Sequence, residues 1–230
     1  MKEVFNSKYV TLLHGNSLEI LNNFKEETFD SVITDPPYFL SNDGITCQNG
    51  RMVSVNKGEW DKLDDNMTLE DFYYTFLFQV KRILKPNGTI FVFGTMHNIY
   101  VIGYLLKKLN FKILNNIIWQ KTNPPPNLSC RMFTHSTETI IWAKKSEKSK
   151  HYFNYSLMKK INDEKQMKDV WASSTTKKSE KRNGKHPTQK PLWLLERLIL
   201  ASTEESDTIL DCFSGTGTTL IAAENLKRKA

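Results

Sequence analysis

The chain has 230 residues and a formal charge of +7, long enough for one large domain with a sizeable core. No run approaches the roughly 18 apolar residues of a membrane span, and Met1-Lys2-Glu3-Val4-Phe5-Asn6 lacks the apolar core of a signal peptide. Three scattered cysteines, Cys47, Cys130 and Cys212, argue against a disulfide framework or structural zinc and fit a reducing cytosol.

In chain order, residues 9–13 read as a short strand closed by His14-Gly15-Asn16, followed by a helix at 17–24 and a strand at 31–34. Residues 39–66 have little periodicity and much Asn, Asp and Gly, so a long functional or disordered loop is expected. Thr68, with Asp71 three positions on, resembles the cap of a helix running to about residue 84. Phe72, Phe76, Val80 and Ile83 share one face of it, and Pro86-Asn87-Gly88 is expected to stop it. Residues 89–94 form an almost unbroken apolar strand, typical of a parallel sheet buried on both faces. A helix at 98–109 and strands at 112–120 and 138–143 come next.

A basic segment then interrupts the alternation. Residues 144–190 hold 14 Lys/Arg against 5 Asp/Glu, which leaves 18 against 20 in the rest of the chain. A face that meets a polyanion has this concentration of charge, and so does a solvated lysine-rich loop. After it come a helix opened by Pro191, a strand at 208–211 and a helix at 218–227. Alternating strands and helices with short connections predict a doubly wound α/β sheet.

Two of the strands end in residues with chemical use. Asp35-Pro36-Pro37-Tyr38 follows the strand at 31–34. A carboxylate, two rigid prolines and an aromatic ring suit the gripping of a planar amino-bearing ring, although an Asp-Pro-Pro turn also simply ends a strand. Asp211-Cys212-Phe213-Ser214-Gly215-Thr216-Gly217-Thr218-Thr219 runs from a strand through two glycines into a helix. Such a turn lets backbone approach a nucleotide-type cofactor and points helix-start amides at a polar group. It lacks the lysine of a phosphate-binding loop and the third glycine of the dinucleotide fingerprint.

Together the two segments resemble the amino-methyltransferases of DNA, with their D-P-P-Y and D-x-F-x-G-x-G motifs. The order here, tetrapeptide first, basic segment next and cofactor motif last, is similar to the beta class. His186-Pro187-Thr188-Gln189-Lys190-Pro191 and Trp119-Gln120-Lys121-Thr122-Asn123-Pro124 resemble two further segments of that class. Residues 123–139, with Gly58-Glu59-Trp60-Asp61, look closest to the adenine enzymes of GATC-recognising restriction–modification systems.

The resemblance implies a Rossmann-like methyltransferase sheet in permuted order. Residues 1–145 would form its catalytic part, 146–185 a small target-recognition insert, and 186–230 the cofactor-binding part. It implies S-adenosylmethionine as methyl donor and Asp35, Pro36, Pro37 and Tyr38 as the catalytic group. The cofactor would meet Asn16, Asp35, His186, Thr188, Lys190, Asp211, Phe213, Gly215, Gly217 and Thr218. Asn16 stands where related chains often carry an acid. Duplex DNA is the expected partner, with single-stranded DNA left open, in a bacterial cytoplasm. DNA contacts are expected from Lys121, Asn123, Arg131, His135, Tyr155, Trp171 and Lys185, though the aromatics of the basic segment equally suit a small core of their own. Similar enzymes commonly dimerise, but no feature here establishes it.

Methylation of the cytosine 4-amino group uses the same geometry and stays open, as does a DNA-binding protein without catalysis. A Rossmann-like cofactor site normally continues to a strand ending in an acidic residue about 20 positions after the glycine turn. Lys227-Arg228-Lys229-Ala230 falls where that strand should begin.

Overall fold

The computed structural model of the chain describes residues 2–39, 45–48, 51–54, 67–176, 178–181 and 189–230. The hairpin β1 (Lys2–Asn6) and β2 (Thr11–His14) leads into helix α1 (Ser17–Asn23) and strand β3 (Phe29–Thr34). A second hairpin, β4 (Ile45–Gln48) and β5 (Arg51–Ser54), precedes α2 (Leu69–Ile83), β6 (Leu84–Gly94) and α3 (Ile99–Lys108). Then come β7 (Lys112–Lys121), β8 (Thr137–Lys144), α4 (Tyr155–Lys160), β9 (Val170–Ser173), α5 (Leu192–Ser202), β10 (Ile209–Leu210) and α6 (Thr218–Asn225).

The central sheet has six strands in the order β10-β3-β6-β8-β7-β9. β10, β3 and β6 run parallel, β8 is reversed between β6 and β7, and β9 runs parallel to β7. Side chains alternate across a strand, so each strand feeds two cores. Val32, Ile90, Val92, Ile141 and Ala143 pack towards Leu21 of α1, Tyr73, Phe76 and Val80 of α2, and Ile102 and Leu105 of α3. Ile33, Phe91, Phe93, Ile140 and Trp142 pack towards Leu194 and Leu198 of α5 and Ala222 of α6. This is the doubly wound sheet expected from the alternation of elements. The apolar β6 is buried because helices cover both faces, while its neighbours run one parallel and one antiparallel.

Local signals held at α2, where Thr68 and Asp71 form a reciprocal capping box. The helix nevertheless ends before Pro86-Asn87-Gly88, because Thr28 and Glu27 donate to the carbonyls of Ile83 and Arg82 and draw the chain straight into β6. Pro86-Asn87-Gly88 instead lies in a register irregularity of β6, between the pairs Phe29–Leu84 and Ser31–Thr89. A Cβ at Gly88 would stand 3.1 Å from the Asp30 carbonyl oxygen.

Five elements escape the sequence patterns. β1 is exposed at every position and so carries no alternation. β4 and β5 fall inside the expected 39–66 loop, whose remaining residues lie outside the described ones apart from Phe39. α4 and β9 lie within the basic segment, and β9 adds itself to the central sheet beside β7. At the other edge Lys229 forms a parallel bridge with Thr208. Ala230 donates to the Tyr9 carbonyl and accepts from the Thr11 amide, both at 2.8 Å, which ties the first hairpin to this edge.

Candidate active site at the ends of two parallel strands

β3 and β10 lie side by side, with Ser31 opposite Ile209 and Val32 opposite Leu210. Parallel neighbours end at the same rim of the sheet, so Asp35 and Asp211 emerge together at the carboxyl ends where open α/β sheets hold ligands. They line a cavity of about 700 Å³, closed by the His14–Leu18 turn, Phe72, Phe93, Lys190 and the 211–219 turn.

On one side of the cavity, Asp211 accepts from the Phe213 amide at 3.1 Å, and Gly217 donates to the Ser214 carbonyl at 2.7 Å. Gly215 and Gly217 have φ values of +53° and +76°, which side-chain-bearing residues rarely adopt. A Cβ at Gly215 would meet nothing within 4 Å, so that stretch of backbone faces open space. Gly217 caps α6, whose first amides carry the positive end of the helix dipole. The Phe213 ring packs at 5.4 Å from Phe76 and 6.1 Å from Phe72. Burial pushes the Asp211 carboxyl up to about 6, against hydrogen bonds from Thr219 and the Phe213 amide that favour its ionised form.

On the other side, the Tyr38 hydroxyl donates to Asp35 Oδ1 at 2.6 Å, and Lys190 Nζ pairs with Asp35 Oδ2. The Pro37 carbonyl accepts from the Tyr73 hydroxyl at 2.7 Å, which itself accepts from Asn98 Nδ2 at 3.0 Å. Asn98 Oδ1 in turn holds the Thr95 amide at 2.9 Å. Tyr73 and Asn98 are fully buried, so the tetrapeptide is anchored from α2 and from the start of α3. Gly94 lets Asn98 come this near, since a Cβ there would stand 2.8 Å from Asn98 Oδ1.

Behind Asp35 lies a buried charge network. Lys190 Nζ sits 3.4 Å from Glu138 Oε2, and Glu138 Oε1 pairs with Lys121 Nζ at 2.5 Å. Burial pulls the Lys190 ammonium down, but Asp35 and Glu138 outweigh it and hold it above the ordinary lysine value. Burial raises the Glu138 carboxyl, and Lys190 and Lys121 more than reverse that. Burial, with Asp35 and Glu138 nearby, drives the Tyr38 hydroxyl well above its usual value, so it acts as a donor.

Asn16, Asp35, Pro36, Pro37, Tyr38, Lys190, Asp211, Phe213, Gly215 and Thr218 all border the one cavity. Gly217 shapes the turn behind it. Asn16 caps α1, its Oδ1 accepting from the Leu18 amide at 3.0 Å and the Glu19 amide at 3.4 Å. Lys185, His186 and Thr188 lie outside the described residues. None of the other residues expected at DNA borders the cavity. Lys121 is committed to Glu138, and Asn123 Oδ1 accepts from the Thr175 amide at 2.8 Å. Arg131, His135 and Tyr155 are exposed. Trp171 lies on β9, donates to the Lys168 carbonyl at 2.7 Å and packs with Trp193 about the Arg197 guanidinium. Tyr73, Asn98 and Glu138 were not foreseen. A lone carboxylate at the start of the apolar stretch Ile140-Ile141-Trp142-Ala143 was the one available signal.

A family model described as DNA methylase, covering N6 and N4 enzymes, matches residues 29–230. The chain belongs to this DNA methylase family. The methylase is 56% identical to the type II methyltransferase M2.LlaDCHI of Lactococcus lactis subsp. cremoris, over 99% of this chain and 85% of that protein. It is 55% identical to M2.DpnII of Streptococcus pneumoniae over the same shares, and 53% identical to M2.MboI of Moraxella bovis over 96% and 81%. Among solved structures, the M1.HpyAVI–SAM complex is similar at a TM-score of 0.67 and 26% identity, covering 96% of this chain and 90% of that one. The methylase is therefore an S-adenosylmethionine-dependent DNA methyltransferase of the type II kind. No helix among its described residues is long and apolar enough to cross a membrane.

The cavity fits this cofactor. S-adenosylmethionine carries a sulfonium, an ammonium and a carboxylate. Two acidic side chains, a helix start and an open glycine backbone face the same space. If the ionised form of Asp211 is the one that holds a cationic ligand, the pH dependence has a definite sign. The methylase should bind S-adenosylmethionine with constant affinity above about pH 7 and up to tenfold more weakly per unit below about pH 6. Isothermal titration from pH 5 to 8 measures this, and Asp211→Asn should flatten the profile.

Proposed function

We propose that the methylase transfers a methyl group to the exocyclic 6-amino group of adenine in duplex DNA, within GATC, as the modification partner in a bacterial cytoplasmic restriction–modification system. The observation that carries it is Asp35, a carboxylate at the head of the tetrapeptide, fixed at the rim of the cavity that Asp211 and the glycine turn also border. The amine lone pair of adenine is delocalised into the ring, so the site must orient and localise it. In this reading the Asp35 carboxylate and the Pro36 carbonyl accept the two amine hydrogens and draw the nitrogen towards tetrahedral geometry. S-adenosylmethionine supplies an electrophilic methyl group when bound. Tyr38 offers its ring face to the base, and the prolines fix the carbonyl direction at low entropic cost. The base must leave the duplex stack to reach the cavity, at a cost of a few kcal/mol. Residues 146–185 would form the recognition segment, with Arg131, His135, Tyr155, Trp171 and Lys185 near the DNA.

GATC rests on the resemblance of residues 123–139, with Gly58-Glu59-Trp60-Asp61. The second reading is the cytosine 4-amino group, since the fold is shared with the cytosine-N4-specific PvuII methyltransferase at a TM-score of 0.75 and 23% identity over 99% of this chain and 82% of that one. Labelled cofactor and duplexes with and without GATC, followed by nucleoside mass spectrometry, separate them. Methyladenine confined to the GATC duplex is expected. Methylcytosine would favour the second reading, and DNA binding without either product would leave a non-catalytic protein. A single-stranded arm reports whether unpaired DNA serves, and sedimentation reports whether the working unit is a homodimer.

A further inference from the structure

We propose that Glu138 is a positioning residue for methyl transfer, acting through Lys190 to set how strongly the Asp35 carboxylate is gripped. The proposal rests on Asp35 being the acceptor of the target amine. Four charged groups from separate parts of the chain form one line: Asp35 after β3, Lys190 just before α5, Glu138 on β8 and Lys121 at the end of β7. Their charges sum to zero. In a buried setting, a lysine facing one carboxylate alone would draw that carboxylate's electron density to itself. Asp35 would then be a poor acceptor for an amine. Glu138 lies 3.4 Å from the same ammonium and shares it, which leaves Asp35 oriented but not saturated.

The geometry of Glu138 points to charge rather than packing. Its side chain is 13% exposed, and among the described residues the buried Oε2 has the Lys190 ammonium at 3.4 Å and no closer donor. An acid in that position is costly to desolvate, and it is the two lysine ammoniums that hold it ionised. Lys121 completes the balance from the neighbouring strand, where Trp119 stands opposite Glu138.

Glu138→Gln removes the charge at nearly constant shape. It should lower the single-turnover rate of methyl transfer about 10- to 100-fold, with cofactor and DNA affinities within about twofold. Glu138→Asp should recover part of the rate. Because the single change leaves two lysines against one carboxylate, the paired variant Lys121→Gln/Glu138→Gln restores neutrality; it should fold and remain slow. A rate within about twofold of the parent in either variant, with Asp35→Ala inactive, overturns the proposal and leaves Asp35 in place. Full activity of Asp35→Ala would instead remove the reading on which it rests.

Discussion

Replacing Asp35 by Ala should lower the single-turnover rate of methyl transfer about 10²- to 10³-fold, the range for loss of one preorganised partner of a transition state. The change removes the acceptor at the rim and strips both Tyr38 and Lys190 of a partner. DNA affinity should stay near that of the parent, because binding draws on phosphate contacts elsewhere. Rapid-quench measurement of label transfer, beside a fluorescence anisotropy titration, separates the two quantities. Asp35→Asn keeps an acceptor oxygen without the charge and should fall between parent and Ala. A full rate in Asp35→Ala with intact DNA binding would refute the assignment.

Phe76→Ala should destabilise the fold by about 3–5 kcal/mol, the usual loss on truncating a buried aromatic ring. For a chain of this length that lowers the melting temperature by roughly 10 °C. Phe76 is fully buried in the core beneath α2, and its ring supports Phe213 in the turn after β10. The variant should therefore also bind S-adenosylmethionine more weakly at temperatures where it remains folded. Phe78 provides the control on the same helix. It is 51% exposed, and Phe78→Ala should change stability by no more than about 0.5 kcal/mol. Urea titration of the two variants tests the contrast, and similar losses in both would show that α2 does not pack by its inner face.

Much of this architecture was legible because helical and strand periods coincide with burial. α2 is the clearest case: Thr68 with Asp71 marks its start, and Phe76, Val80 and Ile83 its buried face. The glycine turn was legible for a conformational reason, since Gly215 and Gly217 take up backbone angles that few other residues reach. What the sequence hid depends on long-range pairing. β9 is a four-residue strand in a lysine-rich stretch, and it exists because β7 offers it a ladder. Pro86-Asn87-Gly88 looks like a stop, yet bonds from Glu27 and Thr28 decide where the helix ends. Tyr73 reads as one more apolar residue of α2, and its hydroxyl acquires meaning only when the fold brings the Pro37 carbonyl to it. Glu138 is likewise mute until β8 is laid beside β7.

The reversed direction of β8 has an architectural effect on the rim. A strand parallel to its neighbours would bring its last residues there; β8 brings its first, and Glu138 is among them. The same reversal makes β7 and β8 the two stems of a hairpin, with residues 122–136 as its tip on the ligand-bearing side. The stems are bonded to each other, so lengthening the tip adds only closure entropy, about 0.6 kcal/mol per doubling. This corner of the sheet can therefore gain or lose reading surface at little expense to the scaffold. Its outline is free to diverge between proteins that keep the same catalytic floor.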